Sequence, residues 1–186
     1  MIDFGLEVKQ PQVEFARFCG PDFLNLYNES GGSQFEAHTD PRVRTEELEA
    51  VAKLAYRLYE AIVGGPKSHL QSIVICAGTN VRTQALYKQF IDLVFKSPWF
   101  NFFHRYLEEQ EQSDGVTRYK FNDKYIHYIN LNLFVYGYAD SSRATKLRGH
   151  TYAAALLDTR EFSDYGDYYS TLLLGLRTTQ GELICL

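Results

Sequence analysis

The chain has 186 residues, 45% of them apolar and 23% charged, with a formal net charge of -4. That length and balance describe an ordinary globular chain of about one domain, and exclude a disordered tail, a collagen and a disulfide scaffold. Net acidity argues against a compact basic nucleic-acid binder, but leaves room for a locally basic surface. No apolar run approaches the ~20 residues that cross a bilayer. The opening MIDFGLEVKQ has no signal-peptide pattern, so the expectation is a protein without a membrane role. Cys19, Cys76 and Cys185 are far apart and form no CxxC pair. They read as free structural thiols in a reducing compartment.

Residues 1–44 hold Pro11, Pro21, Pro41 and Gly31-Gly32-Ser33, and read as an N-terminal arm with a short helix at Val13–Phe18. Residues 45–186 read as an α/β domain. Thr45 offers a capping hydroxyl ahead of Glu46 and Glu47, which suit the positive end of a helix. Leu48, Val51, Ala55, Leu58 and Ile62 then recur at helical spacing, until Gly64-Gly65-Pro66 stops the pattern. Ser72–Gly78, SIVICAG, is a β-branched run of the kind buried on both faces of a parallel sheet. Thr79-Asn80 opens a second helix, ended by Ser97-Pro98. The aromatic WFNFFHRYL has a helical look, and Glu108 to Gly115 reads as a polar connection.

Two alternating stretches follow, RYKFN and KYIHYINLNLFVYGYA, with Asn122-Asp123-Lys124 as a hairpin turn between them. SSRATKLRGHT reads as a basic loop. Tyr152 to Asp158 is a second buried strand ending in an acid, DYGDYYSTLLLGL a helix, Thr178 to Gly181 a turn, and ELICL a last strand. The alternation predicts a mostly parallel sheet flanked by helices, with a small antiparallel hairpin inserted.

Three stretches carry candidate chemistry. Thr79, Asn80, Arg82 and Gln84 follow a buried strand, the place where parallel sheets bind ligands; a helix cap with solvated neighbours accounts for them equally. Arg143, Lys146 and Arg148 lie among hydroxyls and a glycine, a composition suited to phosphate contacts, although a solvated loop has the same make-up. Asp158 ends a strand, where an acid can hold Mg²⁺ in nucleoside triphosphatases or cap a helix. His38, His69, His104, His127 and His150 have no metal-ligand spacing.

Taken in order, Ile73 to Gln84, Tyr119 to Leu131, Ser141 to Gly149, Tyr152 to Asp158 and LLLGLRTTQGELICL resemble the ATPase domain of viral DNA-packaging terminases, the large subunit of tailed phages and herpesviruses. The LRG followed by a hydrophobic strand and Asp158 is the most specific part. The resemblance implies a P-loop ATPase-like fold, ATP and Mg²⁺ as cofactors, and Asp158 as the Walker B acid and metal ligand. It also implies DNA, portal, small terminase and a nuclease-bearing chain as partners, in host cytoplasm or nucleus. The chain is short for that family, and its last strand stops before the coupling motif.

The sequence departs from the family in two places. Gly-Lys-Ser/Thr, the phosphate-cradling loop, occurs nowhere. The stretch before the first helix instead carries Arg42 and Arg44, with Glu46 and Glu47 set to repel a triphosphate. After Asp158 stand Thr159, Arg160 and then Glu161, where the family has a glutamate that activates water. Phosphoryl transfer needs both groups, so the leading expectation is a degenerate, non-hydrolysing core acting as a structural or regulatory subunit. One alternative is an active ATPase in which Arg42 or Arg44 grips phosphate and Glu161 serves as the base. The other is an interaction module whose face is formed by Tyr125, Tyr128, Tyr136 and Tyr138; alternating tyrosines are also ordinary sheet chemistry.

Overall fold

The computed structural model describes residues 41–139 and 144–186, with side chains from Glu46 onward. The Val13–Phe18 helix, Cys19, Arg143 and the side chains of Arg42, Arg44 and Thr45 lie outside the described residues. Four helices are described, α1 (Pro41–Val63), α2 (Asn80–Lys96), α3 (Pro98–Asp114) and α4 (Gly166–Leu176). Six strands are β1 (Gln71–Cys76), β2 (Tyr119–Phe121), β3 (Tyr125–Tyr128), β4 (Leu133–Tyr138), β5 (Tyr152–Leu157) and β6 (Glu182–Cys185).

They form one sheet in the order β2-β3-β4-β1-β5-β6. β1 pairs in parallel with β4 and with β5, and β5 in parallel with β6. The β2–β3–β4 meander is antiparallel. The expected mostly parallel sheet with an antiparallel hairpin is therefore the observed architecture. A central strand must be apolar on both sides, and Ser72 to Cys76 are all buried. Their side chains alternate between two cores.

Ile73 and Ile75 face α1, α2 and α3, with Leu58, Phe90, Phe103 and Leu156; Val74 and Cys76 face Leu147, Tyr168 and Leu172. Three helices thus cover one face, and α4 is the helix on the other among the described residues. Each wholly buried Leu, Ile or Phe contributes about 1.5–3 kcal/mol of transfer free energy, so the two-sided strand is the organising element. No helix among the described residues is long and apolar enough to cross a membrane.

Several local expectations need correction. The first helix begins at Pro41, not near Thr45, so the stretch containing Arg42 and Arg44 is helical turn rather than loop. Proline is tolerated at a first helical position, where its missing N–H is not needed. Glu108 to Asp114 continues α3 instead of forming a connection, since Glu and Gln are good helix formers; Gly115, at φ 72°, ends it. The long alternating stretch breaks into β3 and β4 at a 3-10 turn, Ile129–Leu131, followed by Asn132 at φ 51°. Asparagine tolerates that left-handed geometry. The hairpin turn itself is as expected, because Asn122 Oδ1 accepts from the Lys124 and Tyr125 N–H groups at 2.8 and 3.0 Å.

Candidate functional site

The carboxyl ends of β1 and β5 lie side by side, tied by the Asp158 N–H donating to the Cys76 carbonyl at 2.9 Å. Thr79 caps α2, its hydroxyl accepting from the Arg82 N–H at 3.2 Å. That cap fixes the first turn of α2 and aims Arg82 across the strand ends.

Arg82 Nε donates to Asp158 Oδ2 at 2.8 Å. Arg160 grips the same carboxylate from its own loop, Nε to Oδ1 at 2.8 Å and Nη2 to Oδ2 at 2.7 Å. The Arg160 backbone N–H adds a contact to Oδ1 at 3.1 Å. Glu47, from α1, closes the cluster. Its Oε1 accepts from Nη2 of Arg82 and, at 2.9 Å, from Nη2 of Arg160. Gln89 Nε2 donates to its other oxygen at 3.4 Å. Two carboxylates thus meet two guanidiniums, and three separate elements are pinned together.

Burial makes this arrangement obligatory. Asp158 is 1% exposed and Glu47 7%. An unpaired charge there would lose its hydration without replacement. Burial pushes the Asp158 carboxyl up, but hydrogen bonds from Arg160 and Arg82 outweigh it and hold the pKa below the ordinary value. The Asp158 carboxylate in turn raises Arg160. Arg82 is also raised: desolvation opposes its charge, and the bonds to Asp158 and Glu47 prevail. Fork-to-carboxylate geometry is what gives a guanidinium this grip.

The loop carrying Arg160 folds directly over β1. A Cβ on Gly78 would stand 2.6 Å from the Glu161 carbonyl oxygen, so only glycine admits this approach. Glu161 is exposed, and its carboxylate accepts the Thr79 hydroxyl at 2.9 Å.

The sequence-derived candidates fall into separate groups. Thr79 and Glu161 meet beside the Asp158 cluster; Asn80 and Gln84 are exposed on α2 and make no contact with it. Lys146 is exposed in a 3-10 turn, Thr145–Leu147. Arg148 pairs with Asp167 of α4 at 2.9 Å, both side chains largely in solvent. Among the described residues, neither Lys146 nor Arg148 forms an ion pair with Asp158 or Glu47. The four tyrosines also divide. Tyr128 is fully buried beneath α3, its hydroxyl 2.7 Å from His104 Nε2, while Tyr125, Tyr136 and Tyr138 belong to the opposite face.

Sequence reasoning missed Glu47 as a member of the cluster and read it as a first-turn acid that would repel a triphosphate. One signal was present: Glu47 shares the helical stripe of Val51, Leu54 and Leu58, and an acid on a buried stripe needs a cation opposite.

A divalent ion does not fit these residues as they stand. Both Asp158 oxygens already accept from arginines. Among the described residues there is no group of three or more His, Cys, Asp or Glu side chains placed to hold a metal.

No protein-family model matches the chain, and no curated protein matches it. Solved structures do. The large terminase ATPase domain of Thermus phage P74-26, in a mutant form, aligns with a TM-score of 0.46 and 12% identity over 74% of this chain and 54% of that one. The HK97 bacteriophage large terminase aligns with a TM-score of 0.44 and 14% identity over 80% of this chain. The chain spans about half the length of the first and 33% of the second.

Proposed function

We propose that the chain is a terminase-like component of viral DNA packaging whose ATPase-derived core does not hydrolyse nucleotide. The order of motifs in the sequence supports the family reading. One observation supports the loss of hydrolysis: Asp158, in the position of the metal-binding acid, has both oxygens committed to Arg82 and Arg160. Glu47 completes the neutralisation. In this reading the cluster replaces a nucleotide site with an internal lattice that fixes α1, α2 and the 158–161 loop.

Glu161, the remaining acid near the strand end, is held by the Thr79 hydroxyl. ATP and Mg²⁺ take no step in this reading, which is supported by both Asp158 oxygens already accepting from arginines. The subunit acts instead by shape and contact. Lys146 and Arg148 are its candidate contacts to DNA phosphates, and portal, small terminase or a nuclease-bearing chain are its candidate partners.

The test is titration of the purified protein with a fluorescent ATP analogue and Mg²⁺, together with a phosphate-release assay. The expected result is no saturable binding and no turnover. Turnover that Asp158→Ala abolishes would overturn the proposal and favour an active motor.

A further inference from the structure

Among the described residues, the side of the sheet opposite α1, α2 and α3 is unevenly covered. α4 packs on β5 and β6, and Tyr138 reaches its Tyr168, ring centroids 6.2 Å apart. Toward β3 and β2 the face carries a different population. Register and alternation place Lys120 from β2, Tyr125 and His127 from β3, and Phe134 and Tyr136 from β4 together on it.

Four of these five side chains are planar rings, and they touch. Tyr125 stacks on Phe134 with centroids 5.2 Å apart. His127 meets Phe134 edge-on at 5.3 Å, and Tyr136 lies 5.4 Å from the same ring. Tyr125, His127 and Phe134 are each half-buried, and Lys120 is exposed.

The charge on this face is one-sided. None of the residues that β2, β3 and β4 place there is an acid. A neighbouring carboxylate serves the other side: Glu108 accepts from the Tyr119 hydroxyl at 2.5 Å. Among the described residues of these three strands, the patch is ring-covered and acid-free with a lysine at its margin, in a chain of net charge -4. Water solvates such a surface poorly, and a partner with flat apolar faces on an anionic backbone complements it. Unpaired nucleobases have that chemistry: they stack on side-chain rings while cations meet the phosphates. A duplex matches it less well, because its bases are stacked on one another and present no free face to the rings.

We propose that the β2–β3–β4 face is a stacking platform for single-stranded nucleic acid, with Phe134 and Tyr125 under the bases and Lys120 at the phosphates. The proposal does not depend on the terminase reading. It uses other residues than the basic loop, although both lie on the α4 side of the sheet, and it holds whether or not nucleotide binds at Asp158.

Anisotropy with fluorescein-labelled oligothymidylate of about 15 nucleotides tests it, with a duplex of equal length beside it. The intact protein should bind the single strand and prefer it to the duplex. Phe134→Leu keeps apolar bulk without a ring, and should weaken binding on the order of 10-fold; Phe134→Tyr should retain it. Lys120→Gln should reduce the salt slope by about 0.7. Circular dichroism of Phe134→Leu separates loss of the platform from loss of the fold. No binding by the intact protein, equal binding by Phe134→Leu, or equal affinity for duplex would each overturn the proposal. So would self-association that Phe134→Leu abolishes, since that assigns the face to a second copy of the chain.

Discussion

Two buried polar groups in this protein meet the same problem with opposite chemistry. At the strand ends, Asp158 stays charged and is neutralised by Arg82 and Arg160, with Glu47 balancing the second guanidinium. On the buried face of α3, His104 stays neutral. Burial lowers its pKa to about 4, its Nε2 meets the Tyr128 hydroxyl, and Phe95 and Tyr119 stack on the ring at 4.8 and 4.9 Å. The charged solution joins three elements and fails if any one partner is lost. The neutral solution uses one hydroxyl and aromatic neighbours, leaves the buried Nδ1 without a hydrogen bond, and fails when a proton arrives. A buried polar residue is thus informative only together with the groups that satisfy it.

The sharpest way to break the comparison is Asp158→Ala. It leaves two guanidiniums with a single carboxylate, and breaking a buried pair costs about 3–5 kcal/mol. Urea denaturation should register that loss. A change below about 1 kcal/mol would mean that the cluster is solvated and contributes little.

Acid separates the two groups. The folded pKa of His104 lies below the unfolded value of about 6.5, so the unfolded state takes up the proton first. Stability should fall as pH drops from about 6.5 to 4, by roughly 3 kcal/mol, and His104→Phe should flatten that portion of the curve. Asp158 is depressed too, from a lower starting value, so its contribution is present above about pH 4 and is lost as pH falls through its lower folded pKa. Stability measured against pH in both variants should therefore show two separable windows.

At pH 8, His104→Phe itself should cost about 1–2 kcal/mol, because it orphans the Tyr128 hydroxyl. Adding Tyr128→Phe should recover part of that in a double-mutant cycle. The smallest effect belongs to the exposed pair. Arg148→Ala should change thermal stability by less than about 1 kcal/mol. If the basic loop contacts DNA phosphates, the same variant should lower the salt dependence of duplex binding; unchanged binding would make Arg148 a solvated side chain.

Much of the fold was legible in the residues. SIVICAG and YAAALLD announced buried parallel strands because central strands must be apolar on both faces. Thr79 announced its cap because a hydroxyl there satisfies a free N–H. The break between β3 and β4 was not legible, since alternation continues through Asn132 and only its left-handed backbone turns the chain. The site was partly legible. Asp158 stood out by position, but its partners Glu47 and Arg160 arrive from α1 and from a loop, and local pattern carries no information about which helix packs across a strand end. Gly78 gave no signal either, because the loop that crowds it lies more than 80 residues later.

The strand order carries a consequence for how the chain is made. β1 is the centre of the sheet, yet Leu133, the partner of Gln71, comes 62 residues later, and Tyr152, the partner of Ser72, comes 80 residues later. At translation rates of about 5–20 residues per second, both edges of this largely apolar, buried strand stay open for several seconds after it is synthesised. α1 and α2, which flank it in sequence, are local structures that can form within that interval. They can shield one side of β1 before any strand arrives, so early helix docking protects the nascent chain from aggregation as well as contributing to the finished core.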